Sequence, residues 1–170
     1  FTPRQRKVVE AVLAAQTEAH RRCRPGASLG SGLVLDQGAR NVLKARLGEV
    51  NMPHSLGHGV GLFAHDPLPK RTLVRGMVLT LEPGTYLRGE LGARIEDTYE
   101  VSGDGCTALT TGLPADPASI EKAMEVAAAA RARGPAPRRR PSPPKRSRAA
   151  TARRRGGGRS PPPPRRGRGV

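Results

Sequence analysis

Apolar residues near the start of the chain recur at helical spacing, and in the middle they switch to strand alternation. Val8, Val9, Val12 and Leu13 form one stripe of a helix. Its opening, Thr2-Pro3-Arg4-Gln5, carries a capping threonine, a proline suited to the first helical position, and a glutamine that can close a capping box. Pro25-Gly26 is the stop signal. A second helix is predicted from an Asp36 cap, with Leu43 and Leu47 one turn apart and Gly48 ending it. From Gly76 to Glu82 the period becomes two: Met77, Leu79 and Leu81 share one face, and Val78, Thr80 and Glu82 the other. Around Arg94 the same alternation groups Arg94, Glu96, Thr98 and Glu100 opposite Ile95, Tyr99 and Val101. Asp116-Pro117 opens a last helix, with Ile120 and Met124 spaced for packing, fading into alanines by residue 130.

These elements describe an α+β domain. Composition then divides the chain. It carries 30 Lys+Arg against 14 Asp+Glu, a net charge of +16. All 14 acids lie in residues 1–130, where 15 basic residues nearly cancel them; residues 131–170 hold the other 15 basic residues and no acid. Residues 1–130 are therefore read as one near-neutral domain, and 131–170 as a disordered Arg/Pro/Gly-rich basic tail, unable to bury apolar surface. Aromatics are scarce (Phe1, Phe63, Tyr86, Tyr99), so aliphatic side chains must build the core. No long apolar run predicts a membrane span. Cys23 and Cys106 read as isolated thiols, with His20 and Cys23 on a helix surface, so the expected compartment is reducing and cytoplasmic.

The candidate chemistry sits in three stretches: His54-Ser55-Leu56-Gly57-His58-Gly59-Val60-Gly61 running on to His65, Thr80-Leu81-Glu82-Pro83-Gly84, and Arg94-Ile95-Glu96-Asp97. His54 and His58 are four apart, but Pro53, Gly57, Gly59 and Gly61 make a helix costly, and no glutamate follows the first histidine as a zinc helix would require. A glycine-punctuated strand or turn is expected instead; in a strand the two imidazoles would share a face. Glu82 stands at a strand end before a rigid turn, and Arg94 can orient Glu96 from two positions away. Each residue alone is more often an ordinary surface or turn residue. Their concentration on strands otherwise rich in apolar side chains favours a divalent-metal hydrolytic site.

These residues resemble the pita-bread metallopeptidases, the prolidase and aminopeptidase P branch and, more distantly, methionine aminopeptidase. Met52 to His58 resembles the branch's histidine motif, Gly76 to Gly84 its GMVxTxEPG strand, Gly92 to Asp97 its GxRIED strand, and Phe1 to Gln5 the start of the helix after its aspartate motifs. The likeness covers about residues 1–126. It implies the C-terminal half of a pita-bread catalytic domain, a curved antiparallel sheet with flanking helices. It further implies that His58, Glu82 and Glu96 are metal ligands, that His54 and His65 hold substrate and handle charge at the scissile bond, and that Arg94 supports Glu96. The family's cofactor is a pair of divalent ions, most often manganese, with cobalt or zinc as alternatives. The implied substrates are Xaa-Pro peptides, for a dipeptidase or an aminopeptidase, and a homodimer is the implied assembly.

Two further aspartate ligands, upstream in the family, have no counterpart; Asp36 looks like a helix cap and Asp66 like a loop residue. Three ligands cannot hold two mutually repelling cations, so this chain alone is expected to bind metal weakly or singly and to hydrolyse little. Nor can the arginine that grips a dipeptide's carboxylate be placed, Arg71 being a guess. Two other readings compete. One is a non-catalytic pita-bread interaction module, which the retained ligands disfavour. The other is weak, non-specific contact with nucleic acid or acidic surfaces through the tail, where no aromatic interleaves the arginines for stacking.

Overall fold

In the computed structural model, which describes residues 1–68 and 72–132, the first helix begins as the sequence predicts. Helix α1 spans Pro3–Arg22. The Thr2 hydroxyl accepts from the Gln5 N–H at 3.2 Å, and the Thr2 N–H donates to Gln5 Oε1 at 2.8 Å, closing the capping box. Its buried stripe is Val8, Ala11, Val12, Ala15, Gln16 and Ala19. Alanines on that stripe let helix α2, Val34–Leu47, pack close against it.

Asp36 does not cap α2, contrary to the sequence expectation. The cap falls three residues earlier, at Leu33, and Asp36 is fully buried within the first turn. Its carboxylate is more useful there, as described below. Gly48 ends α2 as predicted, in the left-handed conformation (φ 84°), with its N–H on the Lys44 carbonyl at 2.8 Å.

The middle of the chain folds into antiparallel pairs. Strands β1 (Val78–Leu81), β4 (Asp97–Val101) and β5 (Cys106–Ala108) form one sheet in the order β1-β4-β5. Strands β2 (Gly84–Leu87) and β3 (Leu91–Arg94) form a second, two-stranded sheet. The alternation around Arg94 suggested one continuous strand; the structure breaks it at Ile95-Glu96. The cause is Pro83 opposite, which has no N–H for the ladder. Register nonetheless continues across the break. Leu81 pairs with Asp97 and Gly84 with Arg94, which sets Glu82 opposite Glu96.

Leu79, Leu81, Tyr99 and Val101 point to the core as alternation predicts, joining Val12, Ala15, Ala19, Leu35, Ala39 and Leu43 from the helices. Covering that many apolar side chains is the main source of the fold's stability. Met52 and Leu56, from the histidine segment, are buried in the same cluster.

Three expectations are corrected. Cys23 and Cys106 are not isolated thiols: they are joined in a disulfide across a sequence separation of 83, because the end of α1 meets β5. Neither Cys23 nor His20 is a free surface residue. Cys23 is buried, and the half-buried His20 ring places Nε2 2.8 Å from the Cys106 carbonyl and lies 4.7 Å from the Tyr99 ring. The last helix, α3 (Pro117–Ala132), is initiated by Asp116, whose Oδ1 accepts from the Ser119 N–H at 3.0 Å, but it does not pack through Met124, which is exposed. An Arg6–Glu121 ion pair of 2.7 Å ties it to α1 instead. It runs to Ala132, past the expected domain boundary at 130, and the remainder of the basic tail lies outside the described residues. No helix among the described residues is long and apolar enough to cross a membrane.

Candidate metal centre

The histidine segment is neither helix nor regular strand. It runs beside β1 as an extended cover: the Glu82 N–H donates to the Leu56 carbonyl at 2.8 Å, the Thr80 N–H to the His58 carbonyl at 2.9 Å, and the Val60 N–H to the Val78 carbonyl at 3.0 Å. The approach is close enough that a Cβ at Gly57 would lie 1.9 Å from the Thr80 carbonyl oxygen. A glycine at this position is therefore required sterically. Asp36 fixes the segment from the other side. Its Oδ1 accepts from the Leu56 N–H at 3.1 Å, and its ion-pair partner Arg40 donates to the carbonyls of Met52 and His54, each at 2.8 Å.

This packing brings His58 to Glu82 and Glu96. One donor atom from each lies within 4.8 Å of the other two, and no other group of three candidate ligands occurs among the described residues. His58 Nε2 stands 3.4 Å from Glu82 Oε1. Its Nδ1 is 2.8 Å from the Gly59 carbonyl, which can only accept, so Nδ1 carries a proton and Nε2 is the ring nitrogen that can meet a cation. Thr80 links the two ligands: its hydroxyl accepts from the His58 N–H at 3.1 Å and donates to Glu82 Oε1 at 3.2 Å. Glu82 is buried and Glu96 exposed, so the cluster opens on one side. Arg94 spans both carboxylates, with Nη1 3.8 Å from Glu82 and Nε 3.9 Å from Glu96.

The other two histidines occupy different places. His65 is exposed, its ring 4.6 Å from that of His58 in an edge-on arrangement. His54 is not part of the ligand cluster. Its Nδ1 donates to the Ser55 carbonyl at 2.8 Å, which leaves Nε2 to accept from the Tyr86 hydroxyl at 3.1 Å. Sequence reasoning counted Tyr86 only as a scarce aromatic. The signal was available: strand alternation puts residue 86 on the same face as Glu82. The Tyr86 hydroxyl occupies the space a side chain at Gly84 would fill, 2.9 Å from the position of its Cβ. Arg71 lies outside the described residues. A groove of about 690 Å³, lined by Leu13, Val42, Ala45 and Pro117 among others, includes none of these site residues.

One imidazole nitrogen and two carboxylates suit a divalent cation of intermediate hardness, such as manganese, cobalt or zinc. His58 Nε2 and the convergent carboxylates fit one such ion. They are too few for two.

Comparison with known proteins gives the family and the fold. Residues 1–103 match the model of "Metallopeptidase family M24". "Putative dipeptidase YkvY" of Bacillus subtilis is 40% identical over 116 residues, covering 65% of this chain and 31% of that protein. Among solved structures, aminopeptidase PepP of Pseudomonas aeruginosa superposes with a TM-score of 0.68 at 28% identity, over 76% of this chain and 36% of its own. The prolidase of Pyrococcus horikoshii gives 0.57 at 36% identity, over 65% and 32%. The chain thus spans about a third of the length of these relatives. Its α+β architecture is the pita-bread fold of aminopeptidase P and prolidase, in part.

Proposed function

The chain belongs to metallopeptidase family M24, and on that premise we propose that it is part of a hydrolase acting on the bond between an N-terminal residue and proline. The observation that carries the reading is the convergence of His58 Nε2, Glu82 and Glu96 within 4.8 Å, each oriented by a neighbour.

A divalent ion held by these three groups would supply Lewis acidity and lower the pKa of a water molecule. The protein's own residues do the rest. The Gly59 carbonyl accepts from Nδ1–H of His58, which orients the ring with Nε2 as the atom that faces the cluster. Thr80 and Arg94 restrain the Glu82 carboxylate from opposite sides, and Arg94 also reaches Glu96. In the His54–Tyr86 pair the phenol donates to Nε2, and the opposite ring nitrogen is anchored on the Ser55 carbonyl, which fixes the His54 ring. His65, exposed beside His58, is free to meet a substrate's polar groups. Manganese is the proposed ion, Xaa-Pro peptides the proposed substrates, and the choice between dipeptides and longer peptides is open. With three ligands among the described residues, the chain by itself is proposed to take one ion and turn over slowly.

The test is to titrate the full chain with Mn²⁺ and assay it on Ala-Pro, Ala-Pro-Ala and Ala-Ala-Ala. Binding of one equivalent, lost in Glu82→Gln, with any cleavage confined to the proline peptides, supports the reading. Metal binding indifferent to Glu82, or equal cleavage of Ala-Ala-Ala, overturns it.

A further inference from the structure

The face of the sheet opposite the glutamates carries a feature that the metal centre does not account for. Gln16, on α1, is 5% exposed. Its Nε2 lies 3.3 Å from the Leu81 carbonyl, 3.3 Å from the Ile95 carbonyl and 3.1 Å from Asp97 Oδ2. Leu81 immediately precedes Glu82, and Ile95 immediately precedes Glu96. One amide from the helix therefore touches the backbone at the root of both carboxylates.

The chemistry of Pro83 explains why a donor is needed there. In the continuing register, Pro83 stands opposite Ile95, and the Ile95 N–H reaches the Pro83 carbonyl at 3.4 Å. An ordinary residue at 83 would return a bond from its own N–H to the Ile95 carbonyl. Proline has none. The Ile95 carbonyl would be left partly buried and unpaired, and the two strands free to part where Glu82 and Glu96 face each other. Gln16 supplies the missing donor from the helix. Asp97 adds a second restraint, since its other oxygen accepts from the Thr110 hydroxyl at 2.7 Å.

We propose that Gln16 is a positioning residue for the cation site: by replacing the hydrogen bond that Pro83 cannot make, it holds the backbones of Glu82 and Glu96 at the separation that lets their carboxylates share one ion. The proposal rests on the cation-binding reading above. Gln16 does not touch the ion or substrate and acts only through the strand backbones. A purely structural role would cost stability and leave the affinity of the folded protein for metal unchanged.

That difference sets the experiment. Mn²⁺ dissociation constants are measured on the full chain from the free-ion electron paramagnetic resonance signal, at a temperature where circular dichroism shows each variant folded. The set is wild type, Gln16→Met (similar length, no donor), Gln16→Asn (amide retained, one methylene shorter), Glu82→Gln, and Leu43→Ala as a destabilising control in the α2 core. The expected result is a loss of about tenfold or more for Gln16→Met, in the range known for residues that orient metal ligands. Gln16→Asn should fall between it and wild type, and Leu43→Ala close to wild type, because a loss of stability away from the site leaves the geometry of the folded protein's ligands in place. If Gln16→Met does not fold, Gln16→Asn carries the comparison. Wild-type affinity in the folded Gln16 variants, or a loss no larger than that of Leu43→Ala, overturns the proposal. If wild type and Glu82→Gln bind Mn²⁺ alike, the cation reading itself has failed, and this inference with it.

Discussion

Asp36 and Arg40, one turn apart on α2, form an ion pair of 2.7 Å whose two ends both grip the histidine segment. The carboxylate is completely buried and accepts from the N–H groups of Gly32 and Leu56, and the guanidinium holds the carbonyls of Met52 and His54. An acidic residue outside the candidate ligand set thus anchors the segment that carries His58.

Removing Asp36 leaves the partly buried Arg40 charge without its partner and the N–H groups of Gly32 and Leu56 unmet. Asp36→Ala should destabilise the chain by about 3–5 kcal/mol, the usual cost of breaking a buried pair. Urea unfolding followed by circular dichroism measures it, and a shift under about 1 kcal/mol, the worth of an exposed pair, would mean the pair is solvated.

Gly57 and Gly61 should respond differently to alanine. At Gly57 a Cβ would meet the Thr80 carbonyl, which is backbone fixed in a sheet, at 1.9 Å; at Gly61 it would meet the end of the Asp66 side chain, which can swing away. Gly57→Ala is expected to cost at least ~1–3 kcal/mol, as overpacking does, and to weaken Mn²⁺ binding. Gly61→Ala should be nearly neutral. Equal melting temperatures for the two variants would contradict the close approach.

The Cys23–Cys106 disulfide closes a loop spanning a sequence separation of 83. Its loss should lower stability by ~2–4 kcal/mol. Dithiothreitol should therefore lower the urea midpoint of the wild type but not of a Cys23→Ser/Cys106→Ser double variant. An unchanged wild-type midpoint under reduction would show that the bond contributes nothing.

Two groups give the stability a pH dependence at opposite ends. Hydrogen bonds from Arg21 and Arg22 hold the Glu18 carboxyl down at about 2, against an ordinary 4.5. Its contribution is complete above 4.5 and is lost as pH falls from there toward 2. Burial, and then the charge of Asp97, push the Tyr99 phenol up to about 12 from 10.0. That contribution is complete below 10 and disappears as pH rises toward 12. Melting curves across pH should flatten at the acid end in Glu18→Gln and at the alkaline end in Tyr99→Phe. A wild-type alkaline limb retained in Tyr99→Phe would assign it to another group.

Much of this was legible in the sequence because it depends on near neighbours. The capping box at Thr2, the stop at Gly48 and the inward faces of Leu79, Leu81, Tyr99 and Val101 follow from local geometry and a period of two. The three candidate ligands His58, Glu82 and Glu96 were nameable through their motifs, and the fold brings them together. Tyr86 was within reach of the same alternation and was not singled out.

What the sequence determined by itself, then, was the set of local elements and the ligand types, since backbone propensity and side-chain chemistry are properties of short segments. Only the tertiary structure decided the rest. It turned Asp36 from a cap into a buried anchor, joined Cys23 to Cys106, exposed Met124, and placed Gln16 behind the strand break at Pro83. Each of these depends on which distant segment arrives alongside. That is settled by burying the apolar faces of α1, α2 and the sheet together, a property of the whole chain that no short segment carries.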